Sequence, residues 1–202
     1  MPADNVEFMD RAKLLSFEEL TRVAGVVAKM GIYRLRLTGG EPLLRKDLPV
    51  LVRMLSQVDG IEDLAMTTNA FFLKKYALAL REAGLKRLNI SLDAMDKEKF
   101  AHVNRRDCLN EVLEGLAAAR DAGFSSIKIN SVAMRGFSED EILDLVAYGR
   151  SDGFEIRFIE FMPLDADQIW ERDKVLFGHE ILDIIQRKYP LEPIRDSLEI
   201  GP

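Results

Sequence analysis

The sequence has 202 residues, 48% of them hydrophobic and 31% charged, which predicts one folded domain over residues 1–202 and excludes an intrinsically disordered chain. Its net charge of −6 disfavours a nucleic-acid-binding protein that works through bulk charge. No apolar run reaches the roughly 18 residues of a membrane span and no signal peptide is recognisable, so we expect a soluble, cytoplasmic protein without a membrane partner.

Predicted helices and strands alternate along the chain. Ser16-Phe17-Glu18-Glu19 is typical of a helix N-terminus, and the apolar spacing continues to Met30. The alternation from Ile32 to Leu37 predicts the first strand, which ends at Gly39-Gly40. The same criteria predict strands at 62–68, 86–92, 126–132 and 154–161, and helices at 47–58, 73–83, 110–122, 138–150 and 178–188.

Strands separated by single helices are typical of right-handed β-α-β units in an α/β protein. Units of about thirty residues favour part of a (β/α) TIM-like barrel, with parallel strands inside and helices outside. A doubly wound sheet is the alternative architecture. No G-x-G-x-x-G sequence follows a strand, so a dinucleotide site is not indicated.

Three predicted strands carry polar side chains on one face and apolar side chains on the other. The polar positions are Arg34, Arg36 and Thr38 in the first strand, Arg87, Asn89, Ser91 and Asp93 in the third, and Lys128 and Asn130 in the fourth. If the apolar faces pack against the outer helices, the polar faces line the barrel interior, where they need water or a polar ligand. Cations converging there indicate an anion such as a phosphate or a carboxylate. The alternative is that these charges lie on the solvent-facing edge of an open sheet.

Glycines and hydroxyl groups follow the predicted strands. Thr38-Gly39-Gly40-Glu41-Pro42 comes after the first strand, and paired glycines allow a backbone to approach a ligand closely. Further polar groups end the later strands, at Thr67-Thr68-Asn69, Ser91-Leu92-Asp93 and Glu160 to Pro163. Parallel barrels build their active sites at these carboxyl ends of strands.

The segment Arg36-Leu37-Thr38-Gly39-Gly40-Glu41-Pro42-Leu43-Leu44-Arg45 resembles the Gly-Gly-Glu-Pro segment of radical S-adenosylmethionine (SAM) enzymes. More narrowly, the chain resembles the GTP 3′,8-cyclase family of molybdenum cofactor biosynthesis. The narrower resemblance rests on four further segments in the expected order: Thr67-Thr68-Asn69, Asn89-Ile90-Ser91-Leu92-Asp93, Ile127-Lys128-Ile129-Asn130-Ser131-Val132 and Arg157-Phe158-Ile159-Glu160-Phe161-Met162-Pro163. Gly-Gly-Glu-Pro alone is shared by many radical SAM enzymes, whereas the five segments together are specific.

The resemblance implies roles for seven residues. It assigns SAM binding to Gly40, Glu41, Ser91 and Met162, and binding of the nucleotide substrate to Arg36, Thr67 and Lys128. The substrate it implies is GTP, which a SAM-derived radical converts to (8S)-3′,8-cyclo-7,8-dihydroguanosine 5′-triphosphate. It implies no proton-transferring catalytic residue among these positions, and it leaves open whether the protein forms a homodimer.

The chain departs from this family in its cysteines. The family holds a [4Fe–4S] cluster through a Cys-x-x-x-Cys-x-x-Cys loop and a second cluster through three cysteines in a C-terminal extension. Cys108 is the only cysteine and matches none of these positions, so neither cluster has a ligand in this chain. Met1-Pro2-Ala3-Asp4 resembles the segment that follows the third loop cysteine. We therefore expect a single core domain truncated at both ends, with the first barrel strand missing.

A smaller departure is Ala70, where the family usually has glycine after Thr-Thr-Asn. A positive φ at this alanine would cost roughly 1 kcal/mol. Two other functions stay open on the sequence alone: a different radical SAM enzyme, and a cluster-free barrel that binds SAM or a nucleotide without catalysis. A naturally degenerate copy of the enzyme is the alternative to a fragment.

Overall fold

The computed structural model describes residues 13–163 and 170–194. The prediction for Met1 to Asp4 lies outside these residues. Within them, no helix combines the length and hydropathy that a membrane-spanning segment needs.

Five strands of the described residues form one parallel sheet, against which the helices pack. The strands are β1 (Arg34–Leu37), β2 (Asp63–Thr68), β3 (Arg87–Ser91), β4 (Ser126–Ala133) and β5 (Glu155–Glu160). They lie side by side in the order in which they occur along the chain. A doubly wound sheet reverses its strand order at a switch point, so the sequential order confirms the barrel-type winding that the sequence predicts.

In the described part of the chain, seven α-helices connect the strands or flank them. They are α1 (Phe17–Lys29), α2 (Leu48–Ser56), α3 (Leu73–Glu82), α4 (Lys97–Asn104), α5 (Leu109–Asp121), α6 (Glu141–Asp152) and α7 (Gly178–Gln186), with short 3₁₀ segments at Pro42–Leu44 and Arg172–Lys174. The predicted capping pattern begins α1: the amide of Glu19 donates to Ser16 Oγ, and the Glu19 carboxylate accepts from the amide of Ser16. The predicted helices and strands are confirmed, with ends that differ by up to three residues.

The sequence pattern did not predict α4. Its sequence, Lys-Glu-Lys-Phe-Ala-His-Val-Asn, is mostly polar and buries only Phe100. The helix begins because the side chain of Asp96 accepts a hydrogen bond from the amide of Lys99 at 2.9 Å. An N-cap and one buried phenylalanine are too weak a pattern to separate a short helix from a polar loop.

The hydrophobic core lies between one face of the sheet and the helices. The strands contribute fully or nearly fully buried apolar residues at alternate positions: Leu64 and Met66, Leu88 and Ile90, and Ile127 and Ile129. Apolar residues of α2, α3 and α5 belong to the same core cluster, for example Leu55, Leu80 and Leu116. Because the apolar face of the sheet packs against these helices, the polar positions of the same strands lie on the opposite face, which we call the polar sheet face.

Candidate functional site

The strand register aligns the polar side chains in rows across the polar sheet face. One row holds Arg36, Ala65, Arg87 and Ser126; the next, nearer the carboxyl ends, holds Thr67, Asn89, Lys128 and Glu155; the third holds Ser91, Asn130 and Arg157. Four residues predicted to bind ligand, Arg36, Thr67, Ser91 and Lys128, therefore lie on one face of the sheet within three consecutive rows. Their roles stay predictions, but the shared face that these roles require is present.

Positive charges outnumber negative charges on the described strands of this face. The cations are Arg34, Arg36, Arg87, Lys128 and Arg157, and the carboxylates are Asp63 and Glu155. Asp63 pairs with Arg87 through two contacts, one of them a hydrogen bond of 3.0 Å from Nε. Among the described residues, no ion pair or hydrogen bond involves the side chain of Arg36. An exposed guanidinium without a partner on a cationic face can bind an anion.

Glu155 contacts two of these cations at once. Lys128 Nζ lies 3.2 Å from its Oε2, and Arg157 Nε donates to its Oε1 at 2.7 Å. Burial raises the pKa of Glu155, but the hydrogen bonds from Arg157 and Lys128 outweigh this effect, so the pKa of the carboxyl is lower than its ordinary value. Neither Glu155 nor Arg157 was among the site residues that the sequence predicted. Polar and apolar residues alternate along β5, and this pattern could have placed Glu155 and Arg157 on the polar sheet face.

A cavity of about 380 Å³ lies at the amino ends of β1 to β4. Its lining includes Arg34, Asp63, Arg87 and Lys128, so it forms the lower part of the polar sheet face. A second cavity, of about 480 Å³, lies against α6 and α7 and is lined by none of the predicted site residues. Of the predicted site residues, Lys128 lines the first cavity, whereas Arg36, Thr67 and Ser91 do not. We therefore place the candidate anion site on the three rows of the polar sheet face that hold these four residues.

The loop after β1 carries Gly39 and Gly40, which are exposed at the carboxyl edge of the sheet. Gly39 has a φ of +153°, and a Cβ at this position would meet no atom within 4 Å. The loop therefore needs glycine for its backbone conformation and leaves open space beside it, where a ligand can approach main-chain groups.

Glu41 connects this loop to the end of β2. Its Oε1 accepts hydrogen bonds from Thr68 Oγ1 at 2.7 Å and from the amide of Leu43 at 2.9 Å, and its Oε2 accepts from the amide of Asn69 at 2.8 Å. The sequence-based role of Glu41 as a SAM contact stays a prediction. What the structure gives this carboxylate is a positioning role, because both oxygens are used to hold the glycine loop against β2.

The carboxyl edge of the sheet also presents Ser91 and Met162. Ser91, the last residue of β3, is exposed, and Met162 follows β5 with 50% of its surface exposed. Asp93 lies two residues beyond Ser91, and its Oδ1 accepts from the amide of Val132 at 2.8 Å, which extends the pairing of β3 and β4 past the strand end. Burial raises the pKa of Asp93, although the hydrogen bond from Val132 opposes the rise.

These residues fit part of what a SAM site needs. Gly40 offers an exposed backbone, Ser91 a hydroxyl group, and Met162 an apolar thioether that is not part of the core. They do not fit an iron–sulfur cluster. Cys108 is the only thiol of the sequence and lies at the N-cap of α5, and the described residues contain no cluster of His, Cys, Asp or Glu that could hold a metal ion.

Comparisons of the sequence find related proteins. The family model described as the Radical SAM superfamily matches residues 3–149. A protein named GTP 3′,8-cyclase from Rhodopirellula baltica is 46% identical over 190 residues, which are 94% of this chain and 53% of the relative. The GTP 3′,8-cyclase of Moorella thermoacetica is 43% identical over 202 residues, which are 100% of this chain and 62% of the relative. The chain thus spans between half and two thirds of the length of these relatives.

Solved structures show the same fold at low sequence identity. The structure of SuiB from Streptococcus suis bound to S-adenosylmethionine has a TM-score of 0.65 and 16% identity, and the match covers 87% of this chain and 40% of that one. At this identity the match supports the parallel barrel architecture and nothing finer. Within the described residues β1 pairs with β2 alone, and the expected strand before it stays a prediction.

Proposed function

The chain belongs to the radical SAM superfamily, and we propose that it is the core domain of a GTP 3′,8-cyclase of molybdenum cofactor biosynthesis. The two relatives with this name match almost the whole chain, which supports the assignment. The observation that carries it is the arrangement of Arg36 and Lys128 in adjacent rows of a cationic face, below the carboxyl edge that presents Gly40 and Ser91. A triphosphate is the anion that such a face suits best.

In this proposal the chain binds and orients two ligands. Arg36, Thr67 and Lys128 hold GTP, and the main chain of Gly40 with Ser91 and Met162 holds SAM, while Glu41 keeps the glycine loop in place. SAM, when bound, supplies the carbon-centred radical that starts the cyclisation of GTP. The protein groups at these positions provide charge, orientation and exclusion of water, and none of them is required to transfer a proton.

The [4Fe–4S] clusters that radical SAM chemistry requires would have their ligands outside residues 1–202, since this sequence holds one cysteine. We therefore assign cluster binding to other parts of the full-length protein. Residues 1–202 form a single domain in this proposal, and dimer formation stays a prediction.

Calorimetry on the full-length protein tests the nucleotide site. We expect GTP to bind, and we expect Arg36→Met and Lys128→Met each to weaken binding about 10- to 100-fold, because each removes a charged hydrogen-bond donor to phosphate worth about 1.5–3 kcal/mol. Lys74→Met is the matched control, since Lys74 pairs with Glu114 on the outer helices, away from the polar sheet face. Its affinity for GTP should equal that of the wild type.

Three outcomes would contradict the proposal. Absence of GTP binding by the full-length protein would remove the cyclase function. If GTP binding is unchanged in both Arg36→Met and Lys128→Met, the nucleotide binds outside the polar sheet face. If the anaerobically purified protein cleaves SAM but does not convert GTP to the 3′,8-cyclised nucleotide, it is a different radical SAM enzyme.

A further inference from the structure

Glu155 is the negative charge that two cations of the candidate nucleotide site share. Each carboxylate oxygen contacts a different partner, Lys128 at 3.2 Å and Arg157 at 2.7 Å. Lys128 and Glu155 lie in the same row of the sheet, and Arg157 lies in the next row on the same face. The carboxylate therefore occupies the position from which an anionic ligand would contact both cations.

Neutral residues make up the rest of that row. Thr67 and Asn89 lie beside Lys128 on the other side. The other carboxylate on the described strands of this face, Asp63, pairs with Arg87 and Arg34 nearer the amino ends. Glu155 is thus the acidic side chain of the described strands that contacts Lys128 and Arg157, and without it these two cations would repel each other across a short distance.

The exposures of the three side chains indicate which of them can move. The side chain of Lys128 is 15% exposed and that of Arg157 is 33% exposed, whereas that of Glu155 is 53% exposed. Glu155 is also the first residue of β5, which pairs with one neighbouring strand among the described residues. The carboxylate can therefore turn into solvent at little cost, while Lys128 remains enclosed on the face.

We propose that Glu155 is a built-in counter-ion that competes with the polyphosphate of the substrate for Lys128 and Arg157. In the nucleotide-free protein it holds both cations in place. When a polyphosphate binds, its oxygens replace the carboxylate, and Glu155 turns toward solvent. The residue thereby sets the affinity of the site for polyphosphate and limits binding of smaller anions, which gain too little to displace it. The inference rests on the proposed nucleotide site but does not depend on guanine recognition.

Calorimetric titration of the full-length protein with tripolyphosphate tests this assignment. Glu155→Gln keeps the shape of the side chain but removes its charge, so we expect tripolyphosphate to bind about two- to fivefold more tightly, as for a partly exposed ion pair. Glu155→Asp retains the charge and should stay close to the wild type. Glu114→Gln is the control for net charge, because Glu114 pairs with Lys74 on the outer helices, and its affinity should not change.

A second readout separates competition from a purely structural role. The gain in tripolyphosphate affinity of Glu155→Gln should become smaller as salt is added, because salt already weakens the ion pairs of Glu155 in the wild type. Equal or weaker binding of tripolyphosphate by Glu155→Gln would overturn the proposal and would show that the carboxylate only orients the two cations. An equal gain in Glu114→Gln would also overturn it, since net charge alone would then explain the effect. No binding of tripolyphosphate by any form would do the same.

The proposed function and this inference can fail separately. If Glu155→Gln gains affinity for tripolyphosphate while GTP binds no better than ATP, the counter-ion role is correct, but GTP is not the specific substrate and the cyclase assignment is wrong. If GTP binds selectively and Glu155→Gln gains nothing, the cyclase assignment stands and the counter-ion role is wrong.

Discussion

Ala70 occupies a backbone conformation that alanine rarely adopts. Its φ is +60°, a value that the family's usual glycine at this position adopts without strain, and its side chain is fully buried. Two contacts hold the turn: the amide of Ala70 donates to Thr68 Oγ1 at 3.0 Å, and α5 approaches so closely that a Cβ on Gly115 would lie 2.6 Å from the carbonyl oxygen of Ala70. The surrounding structure thus imposes the strained angle.

Replacing Ala70 with glycine should leave the free energy of unfolding nearly unchanged. The loss of strain, about 1 kcal/mol, offsets the loss of a buried methyl group, about 0.8 kcal/mol. Ala77→Gly is the matched comparison, because Ala77 is equally buried but lies in the middle of α3. There the lost methyl group and the lower helix propensity of glycine should together cost about 2 kcal/mol.

Urea unfolding at constant m-value measures both changes. If Ala70→Gly costs as much as Ala77→Gly, the positive φ of Ala70 carries no strain, and the expected offset between strain and the buried methyl group is wrong.

At the scale of elements, a buried carboxylate joins two segments that are far apart in sequence. Glu141, the first residue of α6, is 3% exposed, and its Oε2 accepts hydrogen bonds from the amides of Met95 at 2.7 Å and Asp96 at 3.0 Å. Lys99 of α4 lies 3.3 Å from its Oε1. The loop between β3 and α4, which follows Ser91 and Asp93, is therefore fixed by a residue of α6.

Glu141→Ala should reduce the free energy of unfolding by about 3 kcal/mol, because it leaves the amides of Met95 and Asp96 without their acceptor and removes one of the two carboxylates that pair with Lys99. Glu141→Gln should cost less, since its side-chain oxygen can still accept from the amides. Asp144→Ala, at an exposed position in the first turn of α6, controls for loss of charge near the helix N-terminus and should cost less than about 1 kcal/mol. Equal losses for Glu141→Ala and Asp144→Ala in urea unfolding would exclude this role.

At the scale of the whole molecule, the net charge of the chain is negative, whereas the net charge of the polar sheet face is positive. The chain has a net charge of −6, yet the polar sheet face carries more cations than carboxylates on its described strands. Negative charge is therefore concentrated elsewhere, and the site can attract an anion to a protein that is anionic overall.

This separation predicts a salt-dependent affinity for GTP. Raising the ionic strength from about 0.1 M to about 1 M shortens the Debye length from about 10 Å to about 3 Å, so GTP binding to the full-length protein should weaken roughly tenfold. Arg36→Met should show a smaller dependence on salt than the wild type. Guanosine, which carries no phosphate, is the control ligand, and its affinity should hardly change. A GTP affinity that is independent of salt would contradict an electrostatic site.

The sequence by itself determined the order of helices and strands, the barrel-type winding and the face on which Arg36, Ser91 and Lys128 lie. These properties depend on relations between residues close in the chain, since alternation has a period of two and capping acts over three residues. The family motifs belong to the same level, because each is a continuous segment such as Thr38 to Pro42.

Only the tertiary structure decided which side chains meet. Four of these contacts link residues that are up to about sixty positions apart in the sequence. They are the row that joins Thr67 to Lys128, the hydrogen bonds from the end of β2 to Glu41, the carboxylate of Glu155 that two cations share, and the contact of Glu141 with the loop after β3. Such contacts depend on strand register and helix packing, which many weak interactions set together and which no local pattern encodes. The short helix α4 belongs with them, because its pattern is weak and it lies against a loop held by the distant residue Glu141.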